Sequence, residues 1–69
     1  MTLHRFEDPR PPLERAAVQE RTAELAADLA RHAEQLGEQK TAEIAWMVVR
    51  RSRILALKLR AQALAGQFR

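Results

Sequence analysis

The sequence has no cysteine, and that one absence excludes disulfides, thiolate zinc sites, iron–sulfur clusters and cysteine nucleophiles together. Glycine is scarce, at Gly37 and Gly66, and the three prolines all fall within the first twelve positions. Nothing between Leu13 and Leu36 therefore interrupts a helix. No run of about 18 uncharged apolar residues exists, so no segment reads as a bilayer span. The opening residues, MTLHRFEDPRPP, lack a secretory-type apolar stretch and carry acids, which together with the missing cysteine makes a cytoplasmic location the default expectation.

Acidic residues are missing from the last third of the chain. All nine lie in residues 1–43, against six bases, whereas residues 44–69 hold Arg50, Arg51, Arg53, Lys58, Arg60 and Arg69 with no acid. The formal charge of +3 thus conceals an acidic half and a purely basic half. At 69 residues the chain is one small domain, too short to bury a large share of its surface without a staple. With disulfides excluded, the expected stabiliser is self-association or a partner protein.

What remains is rich in alanine, leucine, glutamate, glutamine and arginine, all compatible with helix, and the predicted fold is all-α. Residues 1–11 read as an extended, proline-containing N-terminal tail, because Arg10 and Pro11 each precede a proline and Pro12 suits the first helical position. Residues 12–69 form the helical domain. A first helix is expected over 12–36, with Glu14 placed favourably in its first turn, and Gly37 is the natural left-handed residue that ends it. A second helix is expected over 38–66. At 1.5 Å per residue the two would be roughly 37 and 43 Å long, well matched for an antiparallel hairpin, with a single helix running through Gly37 as the alternative. The alternation around Leu55, Leu57 and Leu59 is too short, and its residues too helix-prone, for a strand.

In the first helix Val18, Thr22, Leu25, Leu29, His32 and Leu36 recur at steps of three and four, forming a coiled-coil-like seam. Alanines 16, 23, 27 and 30 form a second, shallow surface on which another helix backbone could approach closely. The second helix is apolar on two sides. One side carries Ala45, Val48, Ser52, Leu55, Leu59 and Ala63; the other carries Trp46, Leu57, Ala61, Leu64 and Phe68, interrupted by Arg50 and Arg53. A helix apolar on both sides is normally covered on both sides, and a hairpin supplies one neighbour only. The expected solution is a homodimeric four-helix bundle, or docking on a larger protein, with Trp46, Leu57, Ala61, Leu64 and Phe68 as the protein interface.

The basic run VVRRSRILALKLR admits a second functional class, a nucleic-acid-binding regulator of DNA or structured RNA, using Arg50, Arg51, Arg53, Lys58 and Arg60 against phosphates. No helix-turn-helix, basic-zipper or RNA-motif signature accompanies it. The cations also suit a solvated surface facing the acids of the first helix. A membrane surface fits less well, since cationic and apolar positions interleave instead of separating. Residues of other chemistry are thinly distributed. His4 and His32 lack the spacing of a metal site, and Glu34, Glu38 and Glu43 lack the Glu-x-x-His pattern of bundle di-metal centres. Thr22 and Ser52 stand at seam positions where a hydroxyl bonds a carbonyl one turn back, with no base beside them. No catalytic residue, metal, cofactor or small-molecule substrate is inferred, and the expectation is a non-enzymatic interaction protein.

Overall fold

The computed structural model describes residues 10–67. These form two helices, α1 (Pro12–Gln35) and α2 (Gln39–Gln67), packed against each other along their length as an antiparallel hairpin. Pro11, held extended at ψ 153° by the proline that follows it, precedes the first turn. Its carbonyl accepts the Arg15 N–H at 3.1 Å, and Pro12 opens α1 without wasting a backbone donor.

The reversal takes three residues. Leu36 remains right-handed at φ −84°, Gly37 turns left-handed at φ +75°, and Glu38 leads into α2. The Glu38 N–H donates to the Ala33 carbonyl at 2.8 Å and the Gly37 N–H to that of Glu34 at 3.1 Å, the paired bonds of a Schellman C-terminus. Gly37 therefore ends the first helix and the continuous-helix alternative is excluded. The first helix begins at Pro12 as expected; at the turn α1 closes at Gln35 and α2 opens at Gln39, each one residue from expectation because this motif consumes Leu36 and Glu38, and α2 ends one residue later than expected, at Gln67.

The contact between the helices is built from alanine. The buried residues of α1 are Ala16, Ala23, Ala27, Ala30 and Ala33. Those of α2 are Ala42, Ala45, Val49, Ser52, Ala56 and Leu59, at alternating steps of three and four that keep one seam towards α1. Ala16 packs with Ala56 and Leu59, and Ala23 and Ala27 pack with Val49, with Ala26 and Trp46 partly covering that group. The shallow alanine surface is thus the one that meets the second helix. The Val18, Leu25, Leu29 and Leu36 positions are on the outside of the hairpin, Leu25 being 65% exposed.

The packing face of α2 also differs from expectation. Ala45, Ser52 and Leu59 belong to it, but Val49 and Ala56 replace Val48 and Leu55, which lie at its margin at 40% and 39% exposure. Small side chains on both helices allow close approach; at that separation the larger Val48 and Leu55 fit the edge of the seam and not its centre.

Candidate interaction surfaces

Helical register divides the hairpin surface into two broad sides and an outer edge. One side is charged. Arg60 forms an ion pair with Glu20 across the two helices, and Arg53 and Trp46 stand one and two heptads back along the same stripe of α2. Near the turn, Glu34, Gly37, Gln39, Ala42, Glu43 and Trp46 line a shallow recess. Arg31 pairs with Asp28 along α1.

The opposite side is apolar. Val18 and Gln19 of α1 line a groove with Leu55, Leu59 and Gln62 of α2, bordered by Arg10, Arg15 and Lys58. A heptad step carries the same side from Val18 to Leu25 and from Leu55 back to Val48. Leu29 lies one turn from both Leu25 and Ala26, so it falls between them, and Leu36 follows a heptad later. The Thr22 hydroxyl on this stripe donates to the Val18 carbonyl at 3.0 Å, which satisfies it locally. Ser52, by contrast, is buried in the seam. No buried side-chain nitrogen or oxygen among the described residues lacks a partner.

The outer edge of α2, turned away from α1, carries Met47, Ile54, Leu57 and Leu64, all more than half exposed. Ile44, also exposed, joins this edge to the apolar side. Cations surround these residues: Arg50, Arg51 and Lys58 are exposed here, and the one acid of α2 is Glu43.

The residues singled out from sequence as a protein interface differ in burial. Trp46 is half-buried against the hairpin's own Ala23, Ala27 and Val49 group. Leu57, Ala61 and Leu64 are exposed along the outer part of α2, and Phe68 lies outside the described residues. The five cations considered for nucleic acid do not share one stripe. Arg53 and Arg60 lie on the charged side, where Arg60 is engaged with Glu20, while Arg50, Arg51 and Lys58 surround the outer edge. What sequence reasoning missed is the apolar side as a composite of both helices. Its signal was present in the Val18 to Leu36 seam, but joining it to Val48 and Leu55 requires knowing the register of α2 on α1.

Among the described residues no group of three or more His, Asp or Glu is arranged to hold a metal ion, and no helix is long and apolar enough to cross a membrane. No protein-family model matches the chain, and no curated protein or solved structure matches it either.

Proposed function

We propose that this chain is a non-enzymatic helical interaction module, acting by helix–helix packing as a homo-oligomer or as a small subunit of a larger assembly. One observation carries this reading: the hairpin buries alanines and leaves its large apolar side chains outside. Val49 and Leu59 are the large aliphatic residues in the described core, while Leu25, Leu29, Leu36, Ile44, Met47, Ile54, Leu57 and Leu64 are each more than half exposed. Single exposed leucines are ordinary, but contiguous exposed apolar surface on so small a chain marks an association site. The test is light scattering coupled to gel filtration of the full chain, with identification of whatever co-purifies. A mass of two or more chains, or a defined complex with another protein, is expected. A well-behaved monomer at micromolar concentration with no protein partner overturns the reading.

The outer edge of α2 favours a second reading, as a nucleic-acid-binding regulator. Exposed Arg50, Arg51 and Lys58, with Arg53 on the adjoining charged side, give it positive charge that no acid of α2 beyond Glu43 offsets. Fluorescence anisotropy with duplex DNA and structured RNA tests this; affinity should fall steeply between about 50 and 200 mM salt if phosphates are neutralised. No binding at the lower salt ends that alternative.

A further inference from the structure

Resting on the packing reading above, we infer that the groove between α1 and α2 at the open end of the hairpin takes an acid-flanked amphipathic helix of another protein, which completes a three-helix unit.

Charge selects the sign of the occupant. Arg10 and Arg15 border the groove on the side of α1 and Lys58 on the side of α2, and no acid lines it. Arg51 stands one heptad back from Lys58 on the same wall. The nearby acids of α1 are engaged elsewhere, Glu20 with Arg60 on the opposite side and Asp28 with Arg31. Arg15 is half-buried, and among the described residues neither it nor Lys58 has an ion-pair partner. A guanidinium already partly withdrawn from water gains from a carboxylate carried in by whatever covers the groove, because removal of the remaining water strengthens the pair. A second copy of this chain brings no such carboxylate on the same face, since that face is cationic in every copy.

Shape selects a helix. Leu59 is buried on the floor of the groove, whereas Val18 and Leu55 are exposed on its two walls. A flat bilayer surface would rest on the walls and leave the floor uncovered, and acyl chains would offer no partner to the Gln19 and Gln62 amides that line the groove. A cylinder fills it, and its polar flanks meet those amides. The walls continue at heptad steps, from Val18 to Leu25 and from Leu55 to Val48, the spacing at which a third helix sets its own apolar side chains. An extended peptide finds no free strand edge on two helices. A nucleic-acid strand finds cations at the rim but no aromatic platform, Trp46 being packed on the other side.

The probe is a fluorescein-labelled amphipathic peptide of about 21 residues with leucine at positions a and d of each heptad and glutamate at e and g, titrated with the full chain and followed by anisotropy. Its counterpart carries lysine at e and g. At about 50 mM salt the glutamate peptide is expected to bind at least about tenfold more tightly than the lysine peptide, and the preference should shrink at about 500 mM. Arg15→Glu combined with Lys58→Glu should invert the preference, an outcome that a misfolded variant cannot give. Equal binding of the two peptides, binding of neither at about 100 µM chain, or a preference that the double substitution leaves unchanged overturns the inference. Phosphatidylglycerol vesicles that bind the chain while the glutamate peptide does not assign the face to a membrane, with the same consequence. Glutamate-peptide binding that appears only after Glu7→Lys and Asp8→Lys gives the groove to the chain's own N-terminal segment and also overturns it. None of these results removes the packing reading, which falls only with a monomer that co-purifies with no protein.

Discussion

Ala30 has no exposed surface while Leu29, its neighbour in sequence, is 54% exposed. Hydrophobicity alone ranks these residues the wrong way round, because the leucine has far more apolar area to bury. The difference is one of room. Ala30 faces α2 across a close helix contact where a larger side chain would force the backbones apart, and overpacking of that kind costs about 1–3 kcal/mol. Ala30→Leu should accordingly lower the urea midpoint, read by Trp46 fluorescence, at every protein concentration. Leu29→Ala should lower it only where chains associate. Equal effects at all concentrations for both substitutions would contradict this division between an inner alanine and an outer leucine.

Between the elements, Gly37 decides that there are two helices. Its φ of +75° is one that L side chains avoid, and a Cβ built there meets no atom within 4 Å. The cost of adding one is thus backbone strain without steric clash. Gly37→Ala is expected to destabilise the chain by about 1–2 kcal/mol, and Gly37→Asn by less, since asparagine tolerates this conformation; denaturant unfolding at constant protein concentration measures both. An alanine variant as stable as the parent would mean that the left-handed turn is dispensable. The Glu20 and Arg60 pair links the helices from partly exposed positions and contributes about 0–1 kcal/mol, too little to align them. Alignment instead comes from the matched alanine spacings of α1 and α2. The turn was legible in sequence because a lone glycine between two unbroken helical segments has few other uses. The facing surfaces were not, since both helices offer more than one apolar stripe and periodicity does not rank them.

For the molecule as a whole, the hairpin encloses a thin core. Alanine burial contributes little per residue, and ordering the chain costs about 1–2 kcal/mol of backbone entropy for each residue. Chains of this size usually gain the remainder from association. Thermal unfolding should therefore depend on concentration, with the midpoint rising by several degrees between about 1 and 100 µM chain, as linkage between folding and association requires. A midpoint constant over that range would show that the hairpin is sufficient on its own.

The order of residues determined by itself that this protein is helical, that it reverses at Gly37 and that its second helix carries positive charge. These properties follow from local propensity, one backbone conformation and composition. Only the tertiary structure decided which stripe of each helix faces the other, and with it the composite apolar side formed by Val18, Leu25, Leu29 and Leu36 with Val48 and Leu55. The physical reason is that two helices in close contact select the side chains that allow their backbones to approach, which here are the small ones, and the most hydrophobic residues are left for the next contact.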